Sequence, residues 1–203
     1  MKSERITLAT DRREQPINFT EMLWSSQSTR WSGFRLEKHR IGPRGRLHDF
    51  SMPDILLGVC VSGSAQMHYE RRGDTQHAVV RTGNFTLLNV GEQQRSIEWA
   101  GTRETLYIRV ETTQLERYLP ERADAGHVEV NPQYGIADPQ VVRLAACMYD
   151  EAVSGCPTGP AYAESLSMAL AAYLLKRYAP AGAPEDIGGG NAFTTVVSSR
   201  IVD

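Results

Sequence analysis

The 203-residue chain has few cysteines, Cys60, Cys147 and Cys156, and no two of them form a CxxC. An odd number without that spacing excludes a disulfide framework and a zinc knuckle, and it fits a reduced compartment. No stretch approaches the ~20 apolar residues that a membrane span requires. The opening MKSERITLATDRREQPINF also lacks the apolar core of a secretory signal. The expectation is a cytoplasmic protein with no membrane partner. An excess of positive charge is missing as well: Lys and Arg number 22 against 24 Asp and Glu, for a net charge of −2, so there is no overall basic field for nucleic acid. Arginines at 12 and 13, 44 and 46, and 71 and 72 read as solvated surface pairs.

Catalytic signatures are equally scarce. There is no GxSxG elbow, and neither a P-loop nor a GxGxxG follows a strand. The five histidines, His39, His48, His68, His77 and His127, contain no HxH or HxxxH spacing and read as surface or pocket-edge residues. Cys60, inside an apolar run, reads as a small core hydrophobe.

What is present is a chain with 41% hydrophobic and 23% charged residues, an ordinary globular balance with material for one sizeable core. From Trp31 to Glu111 the apolar pattern breaks at Gly42-Pro43, Gly63, Arg72-Gly73-Asp74, Gly83, Gly91 and Gly101. Turns at roughly ten-residue spacing predict an antiparallel sandwich or barrel, with strands at 33–41, 54–61, 64–70, 76–81, 84–89, 94–99 and 104–111. In AQMHYE, Ala65, Met67 and Tyr69 alternate with Gln66, His68 and Glu70, the period of a strand with one wet face. DILLGVCV is almost continuously apolar and belongs deep in the core. TGNFTLLNVGEQQRSIEW reads as two strands joined by a tight Asn89-Val90-Gly91 connection.

After Pro120 the period changes. Asp138 is placed as an N-cap, Pro139 at the first helical position and Gly155 just past the end; Val141, Leu144, Ala145, Met148 and Ala152 form the apolar stripe. A second helix follows in PAYAESLSMALAAYLLKRYA. Its Leu166, Leu170, Tyr173 and Leu174, with Tyr162 and Ala169, make a stripe wide enough to read as a dimerisation face. The two helices, joined by SGCPTG, are expected antiparallel. The glycine-rich tail reads as flexible.

A basic, disordered-looking arm, a glycine-punctuated small barrel, then DPQVVRLAACMYDEAVSG and YAESLSMALAAYLLKRYA resemble, over residues 30 to 179, the amino-terminal sensory and dimerisation half of AraC-type transcriptional regulators. RLHDFSMPDILLGVCVSG and VVRTGNFTLLNVGEQQRSIEW look like the two blocks of a cupin. The resemblance implies a mainly β fold with α: a cupin-like small β-barrel of jelly-roll type followed by an antiparallel pair of α-helices. Its parts would be an arm (1–30), a barrel (31–119), a helical dimerisation segment (120–179) and a tail (180–203). It implies a non-catalytic domain that binds a small-molecule effector and forms a homodimer or a mixed dimer with related regulators.

The two helix-turn-helix units of that family have no counterpart here, because the chain ends about 24 residues after the second helix. The expectation is a regulator truncated before its DNA-binding half, or a stand-alone domain, with no specific DNA binding by this chain alone. Metal-binding cupins draw ligands from an HxH block and from a histidine after PxG. Here Phe50 stands where the second histidine of the first block belongs, and Glu92, Gln93 and Gln94 follow Asn89-Val90-Gly91. His48 alone cannot hold a site that needs three or four protein ligands, so no metal and no cofactor is expected. Candidate effector-binding residues are Trp31, His48, His68, Trp99, Tyr107 and Arg109, each offering a ring face or a directed donor. Alternative readings are a metal-dependent cupin enzyme and a partner that titrates intact regulators.

Overall fold

The computed structural model describes residues 5–10, 13–17, 19–71, 73–118 and 129–180; the expected tail and His127 lie outside them. Among these residues eleven strands run in the order β1 (Thr7–Thr10), β2 (Arg13–Pro16), β3 (Glu21–Ser25), β4 (Arg35–Ile41), β5 (Arg44–Ser51), β6 (Ile55–Arg71), β7 (Asp74–Arg81), β8 (Asn84–Leu88), β9 (Gln94–Ala100), β10 (Arg103–Val110) and β11 (Gln133–Ala137). The helices are α1 (Thr112–Tyr118), α2 (Pro139–Val153) and α3 (Pro160–Tyr178).

The strands make two antiparallel layers that share β6. One runs β2-β1-β5-β9-β6-β7 and the other β3-β4-β10-β6-β8-β11. The expected break at Gly63 is a corner inside one long strand rather than a gap between two. Residues before it pair with β8 and β10; those after it pair with β7 and β9. Gly63 has φ +78°, and a Cβ there would lie 2.3 Å from the Thr102 carbonyl oxygen, so only glycine turns this corner. Curling through it closes the sheets into the cupin-like barrel.

Two apolar clusters divide along the pleat. Leu36, Leu57, Val59, Phe85, Leu87, Leu106 and Ile108 face the helices, where they meet Val141, Ala145, Met148, Leu166, Leu170 and Leu174. Ile41, Phe50, Leu56, Cys60, Met67, Val80, Leu88, Ile97 and Trp99 face the barrel interior. The first half of β6 is therefore covered on both sides, which is why DILLGVCV lacks alternation.

The helical pair forms as its termini predict. Asp138 caps α2, its Oδ1 accepting from the N–H groups of Gln140 (2.9 Å) and Val141 (3.4 Å). Its Oδ2 accepts from the hydroxyls of Tyr173 (3.0 Å) and Tyr178 (2.7 Å) at the far end of α3, so the helices run antiparallel. Burial alone would raise the Asp138 pKa, but the Tyr178, Tyr173 and backbone donors together hold it below the usual carboxylate range.

Three expectations change. The arm is not a separate segment: β1 pairs with β5 and β3 with β4, so Thr7–Thr10 and Glu21–Ser25 are woven into the two sheets. Residues 120–179 are not wholly helical, since β11 extends the barrel by pairing with β8. Finally, β8 and β9 are not a hairpin. They lie in different layers, and the connection between them is pinned by the Gly91 N–H donating to the Met52 carbonyl (2.8 Å) and the Val130 N–H donating to Asn89 Oδ1 (3.2 Å).

Candidate functional site

The barrel interior holds a cavity of about 70 Å³, several times the roughly 10–15 Å³ that one water needs. Its walls come from most of the barrel strands: Leu47 and Phe50 of β5, Leu56 and Met67 of β6, Leu88 of β8, and Ile97 and Trp99 of β9. The arm supplies a further wall through Leu8, Ile17 and Phe19, and the Phe19 ring lies 5.5 Å from that of Trp99.

Polar groups enter from β10. A strand alternates, so Arg103, Thr105 and Tyr107 share the inward face while Leu106 and Ile108 point to the helices. Thr86 of β8 and Tyr134 of β11 also line the space. Tyr134 is committed, with its hydroxyl donating to Gln94 Oε1 (2.8 Å) and its ring stacked on Tyr69 at 3.8 Å. Gly58 makes room for the Tyr107 ring, since a Cβ there would lie 2.9 Å from it. Burial pushes the Tyr107 phenol and the Cys60 thiol above their ordinary ranges, with the nearby Arg103 charge pulling both the other way.

Arg103 is 7% exposed, and its Nη1 is buried without a hydrogen-bond partner; the same is true of Thr105 Oγ1. No carboxylate of the described residues pairs with Arg103. Arg35 also carries buried unpartnered nitrogens, but it is half-buried at the start of β4 and does not line the cavity.

Beside the cavity a buried polar pair ties the arm down. Glu37 and His39 on β4 are both fully buried. Glu37 Oε1 accepts from the Ile6 N–H at 3.0 Å, and its Oε2 lies 2.9 Å from His39 Nε2. His39 Nδ1 is 2.6 Å from the Thr20 hydroxyl, and its ring meets Tyr107 edge-on at 5.4 Å. The same two side chains thus anchor the arm at Ile6 and Thr20 and touch a residue of the cavity wall. His39 is a core residue, not the surface or pocket-edge one its spacing suggested.

Of the six candidate effector residues, the structure brings Trp99 and Tyr107 into the cavity and leaves four outside. Trp31 packs on the helix side, its Nε1 donating to the Phe34 carbonyl (2.7 Å). His48 is exposed on the outer face of β5; Asp49 has φ 48°, which breaks the alternation, so Phe50 turns inward while His48 stays out. His68 is on the wet face of β6, its ring 4.5 Å from that of exposed His77. Arg109 is buried in an ion pair, its Nε donating to Asp54 Oδ2 at 2.7 Å, while Asp54 Oδ1 accepts from the N–H (3.2 Å) and hydroxyl (3.0 Å) of Thr112.

The proposed dimerisation face is likewise internal. Leu166, Leu170 and Leu174 are 9%, 0% and 2% exposed within the chain's own core, and Tyr173 is bonded to Asp138. The barrel and α2 cover the stripe that seemed too wide for one chain.

Arg103, Thr105 and Phe19 were not among the candidates. The signal for the first two is the period of RETLYIRV. Once Leu106, Ile108 and Val110 are assigned to one buried face, the alternate face carries Arg103 and Thr105 beside Tyr107.

No protein-family model matches the chain, and no curated protein sequence does. Among solved structures it is similar to ToxT from Vibrio cholerae O395 bound to (E)-4-(8-methylnaphthalen-1-yl)but-3-enoic acid. Identity there is 13%, coverage 84% of this chain and 67% of that one, and the TM-score 0.48. It is also similar to a cupin-2 domain containing protein from Shewanella frigidimarina NCIMB 400 (10% identity, 38% of this chain and 71% of that one, TM-score 0.31). A third likeness is to the Drosophila melanogaster CENP-C cupin domain (16% identity, 36% and 59%, TM-score 0.29). These likenesses concern the fold alone. Among the described residues no helix is long and apolar enough to cross a membrane.

Proposed function

We propose that this chain is a non-catalytic sensor of a small molecule, the effector-binding part of an AraC-type regulator. The observation that carries the reading is the cavity inside the barrel, one wall of which is built by the amino-terminal arm through Leu8, Ile17 and Phe19. A ligand there completes the apolar contacts of the arm, so occupancy and arm order are linked. The Tyr107–His39–Glu37 contacts offer a second route from the cavity to the arm.

Two features support the non-catalytic part. The described residues lining the cavity include no carboxylate and no histidine, the groups that general acid–base work uses most. The Tyr107 phenol in its wall is shifted upward, away from a nucleophilic or basic state at neutral pH. Self-association in this reading uses the outward side of α3, where Tyr162 and Met168 are exposed, rather than the leucine stripe.

Hydrogen exchange of the full chain, with and without saturating toluene as a neutral apolar probe, tests the linkage. The amides of Leu8, Ala9 and Ile17 should slow more than those of the outer β6–β7 hairpin. Uniform slowing, or none despite binding at the cavity, refutes the sensor mechanism. Sedimentation equilibrium at ~100 μM, above the micromolar range of a modest interface, tests the association; a wild type that stays monomeric rejects it.

A further inference from the structure

We propose that the cavity selects an apolar monocarboxylate, whose carboxylate pairs with the Arg103 guanidinium and accepts from the Thr105 hydroxyl. The inference rests on the sensor reading above and adds the chemical class of the effector.

Three observations carry it. First, Arg103 is 7% exposed and lines the cavity, yet its Nη1 has no acceptor and no carboxylate of the described residues faces it. Burial pushes its pKa down, but a guanidinium stays protonated in proteins. A buried cation without a counter-charge is costly and is rarely kept without a use. Second, Thr105 Oγ1, two residues along the same inward face, is also buried and unpartnered. Both unpartnered groups stand on one inward face of β10. Third, the rest of the wall is aliphatic and aromatic: Leu8, Ile17, Phe19, Leu47, Phe50 and Ile97 among others.

That wall excludes the main competitors. A sugar would leave hydroxyls without partners against it. A phosphate ester brings a second negative charge that a single guanidinium does not neutralise, and the excess charge would be buried in apolar surroundings. The planar carboxylate matches the guanidinium fork, and the small volume of about 70 Å³ favours a short acid over a long chain.

Calorimetric titration of the full-length chain with two shape-matched pairs, hexanoate against hexanamide and benzoate against benzamide, tests this. The acid of at least one pair should bind roughly 10- to 100-fold more tightly than its amide, the range for a charge-assisted hydrogen bond to a buried partner. Arg103→Met should erase that preference while leaving the binding of the amide and of toluene. Because Met removes an uncompensated buried charge at similar volume, the ligand-free variant should melt at or above the wild-type temperature. Acid and amide binding equally, or an R103M variant that keeps the preference, overturns the proposal and leaves the sensor reading standing. A lower melting temperature for R103M makes Arg103 a structural group and also overturns it. Failure of the acids, the amides and toluene alike to bind overturns both readings.

Discussion

Replacing Arg109 by Met should destabilise the protein while leaving its cavity chemistry intact, although Arg109 reads from the sequence as a ligand-binding donor. Both partners of the Arg109–Asp54 pair are about 5% exposed, so little solvent is available to screen a charge left behind. Breaking such a pair by removing one partner costs about 3–5 kcal/mol. In R109M the Asp54 carboxylate keeps its two Thr112 donors, which places the cost near the lower end. About 3 kcal/mol in a chain of this size lowers Tm by roughly 6–12 °C. Urea unfolding followed by circular dichroism, with m unchanged, measures it. The double variant Asp54→Leu with Arg109→Met removes both charges and should recover at least ~2 kcal/mol relative to the sum of the singles. An R109M variant within ~1 kcal/mol of wild type would refute the assignment, because that is the range of a solvent-screened pair. So would a folded R109M that loses hexanoate binding with unchanged stability.

Other expectations follow from the same geometry. Leu170→Ala should cost about 2–5 kcal/mol of folding stability in urea, since Leu170 is fully buried within the chain; a variant as stable as wild type but altered in self-association would restore the dimer-face reading. Asp138→Asn should be pH-dependent. The folded pKa of Asp138 is held low, so its contribution is present above the unfolded value near ~3.9 and is lost as pH falls through the folded value. The stability gap between wild type and D138N should therefore be largest near neutrality and close in acid, and a gap that stays constant from pH 7 to pH 3 contradicts it. Phe19→Ala should cost ~1–3 kcal/mol and speed amide exchange at Leu8 and Ile17, both buried beside it; unchanged exchange there would separate the arm from the cavity wall.

The elements legible in the sequence are those whose termini and periods are set locally. Asp138-Pro139 starts α2 where capping physics puts it, and RETLYIRV and AQMHYE show their strand period. The arm was illegible because TLAT and REQP are four-residue strands, too short to declare a pattern; β2 is held by pairing with β1 and β1 by pairing with β5, rather than by propensity. β5 escaped for another reason: RGRLHDFS sets arginines outward against Gly45 and Leu47 inward, and the positive φ of Asp49 then reverses the phase. Asn89-Val90-Gly91 looks like a hairpin turn because turn chemistry is local, whereas the layer that each flanking strand joins is decided by partners far away in the chain.

Arg103 and Arg109 share one face of β10, six residues apart, and the sequence offers no reason to treat them differently. Their surroundings do. Arg109 has a carboxylate from the loop before β6, and through it ties the strand to the first turn of α1; Arg103 has apolar walls, an unpartnered Nη1 and an unpartnered threonine hydroxyl two residues along the strand. The same substitution to Met is therefore expected to move stability in opposite directions at the two sites, down at 109 and level or up at 103. A paired buried cation is explained by the fold that surrounds it. An unpaired one is explained by what the fold admits, and that difference in sign, measured on two variants of a single strand, separates a structural arginine from a recognition arginine without knowledge of the effector.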